Sequence, residues 1–256
     1  MNERIRDHWD GDSASYNKFV RKGFSVMRER RAWQGLFTKV IGTRSLNVLD
    51  VGCGPGIVSM QLSDMGHHVT SLDFSLKMLE AAEKNAAYNG LSIDFHLGDA
   101  ENLPFQDDTF DALVSDYVLW TLPHPEKALS EWYRVVKPGS KVVYVDGDWW
   151  SDPRSTWINT RLSNLGVFLD SPSKYLRSKR KGEGPNEDLR GLWSANASRP
   201  AADVEMMRKA GFGNVQVIHD IQERVLHGVR YLAYGSTNDH FMVTGVKPHR
   251  DGAASS

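Results

Sequence analysis

The run Val48-Leu49-Asp50-Val51-Gly52-Cys53-Gly54-Pro55-Gly56-Ile57-Val58 constrains this chain more than any other stretch. An apolar run carrying one acid leads into three alternating glycines, and a helical pattern follows. A parallel α/β sheet brings its backbone against a nucleoside cofactor in this way, because glycine turns with φ > 0 and approaches without a Cβ clash. A dinucleotide fingerprint would read G-x-G-x-x-G and set a pyrophosphate on a helix N-terminus. Here the glycines are Gly52, Gly54 and Gly56, and Asp50 lies just ahead of them. A carboxylate at that point repels a pyrophosphate and favours an ammonium or sulfonium. The loop suits a cofactor without phosphates, which weighs against an NAD-dependent oxidoreductase.

The next elements agree. A helix over 57–65 closes at Gly66, and His68–Asp73 reads as a strand that delivers Asp73 about twenty residues past the glycines. An ionised carboxylate there has two oxygens to accept two ribose hydroxyls. Ser75 is placed to cap a helix over 76–89, Ser92–Leu97 is a third strand leading into Gly98-Asp99-Ala100, and Asp111–Leu119 is a fourth. Beyond it lie a helix over 126–136, a Lys137-Pro138-Gly139 turn, a strand over Lys141–Val145, a helix over 201–210, and strands over Asn214–Ile221 and His240–Val246.

With these motifs in order, the chain resembles the class I S-adenosylmethionine-dependent methyltransferases, of the small-molecule type that includes the ubiquinone/menaquinone methyltransferases. The matching motifs run from Val48 to Val145, with weaker likeness to Lys247. The resemblance implies a Rossmann-like, seven-stranded, mostly parallel sheet whose last two strands form an antiparallel edge, with a helical cap inserted. It implies S-adenosylmethionine as cofactor, its methionine end held by Asp50, Gly52 and Gly54, its ribose by Asp73, and its adenine by Met78, Asp99 and Ala100, with Phe74 and the small, structural Cys53 also among the cofactor-binding residues. Asp116 and Tyr117, near the end of the fourth strand, face the cofactor in this picture, and Tyr16 reaches it from an N-terminal lid.

The organisation expected is a helical lid over 1–40, a cofactor-binding core over 41–146, a substrate-cap insertion over 147–200, the rest of the core over 201–247 and a disordered tail over 248–256. The insertion is too long for a structureless loop inside a compact domain and is rich in Trp, Ser, Arg and Pro. It carries a basic run, Lys174–Lys181, followed by Gly182–Asn186. A net charge of −1 gives no global pull toward nucleic acid or an anionic surface. No apolar segment approaches the roughly 18 residues of a membrane span. The charged N-terminus lacks the apolar centre of a secretory signal, a single cysteine excludes an internal disulfide, and no His/Cys spacing suggests a metal site. A cytoplasmic protein with a small-molecule substrate is expected, without nucleic acid and without membrane insertion.

Methyl transfer from a sulfonium requires alignment and a dry pocket more than a dedicated catalytic group. Asp116 is open to three roles: pairing with the cofactor's ammonium, structural hydrogen bonding, or accepting a proton. His124, in the turn after the fourth strand, is a second catalytic candidate against a solvent-facing alternative, and His227, between the last two strands, is a candidate to meet substrate. Trp120 and Trp193 are the expected walls of the substrate pocket, while Trp149, Trp150 and Trp157 fit the core of the cap. Arg199 reads equally as a clamp on an anionic substrate group or as a structural cap. RNA or protein methylation on the same fold, and a non-catalytic cofactor binder, are the alternatives.

Overall fold

The computed structural model describes residues 3–150, 157–170, 189, 191–234 and 239–249. Two helices, α1 (Glu3–Ser25) and α2 (Met27–Ile41), precede the first strand. The core then runs β1 (Asn47–Val51), α3 (Ile57–Asp64), β2 (His68–Asp73), α4 (Leu76–Tyr88), β3 (Asp94–Leu97), β4 (Phe110–Asp116), α5 (Pro125–Val135) and β5 (Val136–Gly147). Next come α6 (Trp157–Asp170), α7 (Ala201–Lys209), β6 (Gly213–Ile218), α8 (Ile221–Val225), α9 (Gly228–Tyr234) and β7 (His240–Val246).

The seven strands are ordered β3-β2-β1-β4-β5-β7-β6. Strands β1 to β5 pair in parallel, and β7 runs antiparallel to both β5 and β6. Strand order reverses between β1 and β4, so their carboxyl ends open a crevice of the kind where ligands of open α/β sheets bind. The period of two along each central strand divides the interior between two faces. Leu49, Val51, Leu113, Tyr144 and Phe241 pack on one side with Trp132 of α5 and Met207 of α7. Val48, Val114, Val143, Val145 and Met242 pack on the other with Phe37 of α2 and Leu62 of α3.

Three strand boundaries differ from the sequence expectation by three residues or more. β4 stops at Asp116 because Tyr117 turns into the left-handed region at φ 56°, and Leu119–Thr121 form a 3₁₀ turn. β5 begins at Val136: that residue pairs with Phe110, then the Lys137–Ser140 stretch bulges out, with Gly139 at φ 82°, before pairing resumes at Lys141. β6 ends at Ile218, and Asp220 at φ 59° swings the chain into α8. Ser75 does cap α4, its hydroxyl accepting from the Met78 N–H at 3.2 Å.

The N-terminal helices wrap the carboxyl side of the sheet. α1 lies along α4 and α3, and α2 along α3 and α8. Polar bonds fix α1 in place: Asp10 accepts from the Ser75 hydroxyl, and Asn85 Nδ2 donates to Asn17 Oδ1 at 2.7 Å and to the Pro55 carbonyl at 3.0 Å. Of the expected cap insertion, residues 147–150, 157–170, 189 and 191–200 are described. The basic run Lys174–Lys181, the Gly182–Asn186 stretch and the side chain of Trp157 lie outside the described residues, as does most of the 248–256 tail. Among the described residues, no helix is long and apolar enough to cross a membrane, and no group of three or more His, Cys, Asp or Glu residues is arranged to hold a metal ion.

Candidate active site

Two cavities lie at the crevice. The first is lined by Trp9, Tyr16, Gly52, Gly54, Leu72, Asp73, Phe74, Met78, Gly98, Ala100, Asp116, Tyr117, Val118, Thr121 and Leu122. Nine of the twelve residues expected to hold a cofactor thus meet in one chamber, drawn from six separate segments. Asp50, on β1, and Cys53, within the glycine loop, line neither cavity, and Asp99 lines an adjoining shallow pocket with Arg6 and Asp10 while its Oδ1 accepts from the Glu101 N–H at 2.9 Å.

The glycine loop is shaped by what surrounds it. Gly52 sits at φ 70°, and a Cβ on it would run into the Val118 side chain. The Gly52 and Cys53 N–H groups both donate to the Leu72 carbonyl, at 2.7 and 3.0 Å, which locks the loop onto the end of β2. Asp73 takes the Gly54 N–H on Oδ2 at 2.8 Å and the Ser75 N–H on Oδ1 at 2.9 Å. It therefore braces the loop and the start of α4 from the position expected to meet a ribose. Across the chamber, the Tyr16 ring lies 3.4 Å from where a Gly54 Cβ would stand, and it meets Trp9 edge-on at 6.1 Å.

Buried carboxylates dominate the electrostatics. Burial pushes the Asp73 carboxyl up to about 6, against the lowering effect of its backbone hydrogen bonds. Burial, reinforced by the charge of Asp73, pushes Asp50 up to about 7, although the Ser59 hydroxyl donates to its Oδ2 at 2.5 Å. Asp116 is held well above the carboxylate range by burial and by the charges of Asp50 and Asp146, and its Oδ1 has no hydrogen-bond partner. Burial, with Asp73 and Asp50 nearby, also raises the Cys53 thiol, so this cysteine is an inert packing residue. A chamber walled by electron-rich rings and unpaired acids is suited to a ligand that brings positive charge.

The second cavity lies between α1, α2, α3, α8 and α9, lined mainly by Val20, Trp33, Phe37, Ile57, Val58 and Leu226, with Glu29, Gln61, Gln222 and Arg230 among its polar members. Arg230 Nε donates to both oxygens of buried Glu29, at 2.8 and 3.0 Å. Tyr16, Asp116 and Tyr117 line both cavities. The Tyr117 hydroxyl accepts from Gln222 Nε2 and lies 3.0 Å from His240 Nδ1. Glu29, Gln61, Gln222 and Arg230 carry no motif: they come from four helices, and only the folded helical layer brings them together.

Several substrate expectations are corrected. Arg199 is no clamp: its guanidinium is fully buried, paired with Asp146 at 2.9 Å and with Asp203, and donating to the Gly147 carbonyl at 3.2 Å. With both acids and a carbonyl on it, the group has no face left for a substrate anion. Trp193 packs under that guanidinium at 4.8 Å and donates its indole N–H to the Leu119 carbonyl. Trp120 packs against Trp149 at 5.4 Å and donates to the Tyr117 carbonyl. Neither tryptophan lines the two cavities; they buttress the 117–122 turn from behind. His124 is exposed at the N-cap of α5, its backbone N–H donating to Glu101 Oε1 at 2.8 Å, and it lines neither cavity.

The fold and the chamber define a class I S-adenosylmethionine-dependent methyltransferase, and the chain belongs to that family. The methyltransferase-domain family matches residues 49–144. Among curated proteins, the chain is 39% identical over 190 residues to the demethylmenaquinone methyltransferase of Streptomyces avermitilis, an alignment covering 72% of this chain and 76% of that one. It is 40% identical over 121 residues to the demethylmenaquinone methyltransferase of Renibacterium salmoninarum, covering 47% of this chain and spanning about half, 49%, of that relative. Among solved structures, the [4+2]-cyclase SpnF superposes with a TM-score of 0.64 at 19% identity, covering 96% of each chain. That likeness is one of fold, and one fold serves many chemistries.

S-adenosylmethionine is the cofactor of this family, and the residues present fit it. The loop at Gly52 leaves no room for a Cβ, Asp73 offers carboxylate lone pairs beside the loop, and the partnerless Asp116 oxygen awaits a cation.

Proposed function

We propose that the chain moves the cofactor's methyl group onto a carbon of a small, apolar hydroquinone-type acceptor held in the second cavity. The observation that carries this reading is the shared wall: Tyr16, Asp116 and Tyr117 separate a chamber suited to a cationic nucleoside from an aromatic-lined chamber. A methyl donor in one and a planar acceptor in the other meet at that wall, the arrangement an in-line displacement needs. A mostly apolar lining with a few convergent polar groups is typical of small-molecule sites. The names of the relatives supply the quinone ring.

The sulfonium would supply the electrophilic methyl group and become a neutral thioether, the methylated ring carbon would give up its proton to solvent, and the protein's part is binding, orientation and exclusion of bulk water during transfer. Phe74, Met78 and Ala100 would receive the adenine, Asp73 the ribose, and the Gly52–Gly54 backbone the methionine end, with Asp116 against its ammonium. Trp33, Phe37 and Leu226 would hold the acceptor ring flat. Tyr117, tethered to Gln222 and His240, keeps the threshold between the two chambers in one geometry.

The test uses methyl-labelled S-adenosylmethionine with a chemically reduced, prenylated 1,4-naphthoquinone, the product being read by mass spectrometry. Label on a ring carbon is the expected result. Label absent from this and other small acceptors, yet appearing in RNA or protein fractions of a cell extract, would overturn the reading.

A further inference from the structure

We propose that Gln61 is the residue by which the second cavity selects its acceptor: its amide oxygen accepts from a hydroxyl of a neutral ring, so the dihydroxy form binds and the dicarbonyl form is rejected. α3 buries every residue from Val58 to Leu62, and four of the five have a plain structural use. Ser59 donates to Asp50 and accepts from Ser71, Met60 packs with Val20 and Phe24, and Val58 and Leu62 pack against the sheet. Gln61 is different. It is 2% exposed and lines the second cavity, yet among the described residues its Oε1 has no hydrogen-bond partner. A buried acceptor without a donor weakens the fold, and a leucine in its place would not. An amide kept at a cavity wall at that cost is explained by an occupant that brings the donor.

The other polar groups of the cavity narrow the ligand's chemistry. Arg230 is its cation, and Arg230 Nε donates to both oxygens of Glu29, so the pair is neutral as a unit. Gln222 Nε2 is spent on the Tyr117 hydroxyl. An anionic group would therefore find the cation already matched and would set its lone pairs against those of Gln61. A ring carrying only carbonyl oxygens has the same fault, since it offers lone pairs and no hydrogen. A hydroxyl supplies what is missing. A site built to hydrogen-bond a hydroxyl rejects the analogue lacking it, because the buried protein group is then left unpaired.

The selection has a chemical use. Hydroxyl groups push electron density onto the carbons of an aromatic ring, whereas two carbonyls withdraw it, so the form that Gln61 admits is the form able to attack a methyl group. The inference rests on the acceptor reading above in taking the occupant of this cavity to be the methyl acceptor, whereas the binding preference itself does not.

The test is equilibrium dialysis of the full chain with S-adenosylhomocysteine against two probes, 1,4-dihydroxynaphthalene in anaerobic reducing buffer and 1,4-naphthoquinone, which share one ring system and differ by two hydrogens. Wild type should bind the diol about tenfold or more tighter than the quinone, and Gln61→Leu should lose most of that preference. Affinity for S-adenosylhomocysteine should be unchanged. Without ligand, the variant should be at least as stable to urea as wild type, since no bond within the protein is lost. Gln61→Met, unbranched and close in length, takes its place if the leucine variant fails to fold. Equal binding of the two probes, tighter binding of the quinone, binding of neither, or a preference that survives the substitution would each overturn the proposal. So would a marked loss of stability in both variants, which would show a structural amide. Diol binding that depends on Gln61, with no label reaching a ring carbon in the methyl-transfer assay, would overturn the acceptor reading and leave this selection standing.

Discussion

Replacing Asp50 with Asn should make the cofactor-free protein more stable at alkaline pH than at acid pH, relative to wild type. Asp50 is 1% exposed, its Oδ2 accepts from Ser59, and its Oδ1 has no hydrogen-bond partner. Folding moves its proton affinity from the ordinary 3.8 up to about 7. The folded state therefore holds this proton more tightly than the unfolded state. For an acid raised in this way, the stabilising protonated form is fully present below 3.8, is lost progressively between 3.8 and about 7, and is gone above that. The whole span is worth roughly 4 kcal/mol, of which on the order of 2–3 kcal/mol falls between pH 5 and pH 8. Asn keeps the shape and does not titrate. Urea unfolding of both proteins at pH 5 and pH 8, without cofactor, should show the variant's advantage growing by that amount at the higher pH. A difference that stays the same or shrinks would refute the picture of an unpaired buried charge.

Cofactor affinity should follow the same carboxyls with the opposite consequence. A cation entering beside Asp50 and Asp73, raised to about 7 and about 6, favours their ionised forms, so binding should release protons and tighten by roughly tenfold from pH 6 to pH 8. Calorimetry in buffers of different ionisation heat would show it, and pH-independent binding would contradict it. Asp73→Ala removes both the acceptor for Gly54 and Ser75 and the proposed ribose partner, and should weaken S-adenosylmethionine binding by about 1.5–3 kcal/mol. Unchanged affinity would remove that assignment. Gly52→Ala puts a Cβ into Val118 at positive φ and should abolish detectable cofactor binding, with partial recovery when Val118→Ala is added. Failure of the second change to help would mean that backbone conformation, not the close approach, is decisive. Arg199→Ala leaves Asp146 and Asp203 buried without their cation and should lower stability by about 3–5 kcal/mol, measured by denaturant unfolding. A stable variant with a raised substrate KM would restore the clamp.

The cofactor half of the site is legible in the sequence because local motifs build it. Gly52 and Gly54, Asp73, Phe74 and Met78, and Ala100 each follow a strand end, and a parallel sheet gathers its strand ends at one edge. Asp116 could be placed for the same reason. The second cavity is not legible in that way. Trp33 and Glu29 look like ordinary members of an amphipathic, arginine-rich helix, and Arg230 lies about two hundred residues from the glutamate it pairs with. No periodicity records that contact, since helix packing and not strand register creates it. Arg199 misled for a related reason: a lone arginine before a core helix reads as a ligand for substrate until Asp146, on a distant strand, is seen beneath it. Trp120 and Trp193 read as pocket walls in the sequence, whereas they line neither cavity and donate to the Tyr117 and Leu119 carbonyls.

The most direct test of the account is a crystal structure of the chain with S-adenosylhomocysteine, the demethylated product form of the cofactor. The account predicts the adenine against Phe74, Met78 and Ala100, the ribose on Asp73, the amino-acid end on the Gly52–Gly54 loop, and the sulfur aimed past Asp116 and Tyr117 into the cavity of Trp33 and Arg230. A nucleoside bound anywhere else, or a sulfur turned away from that second cavity, would contradict it.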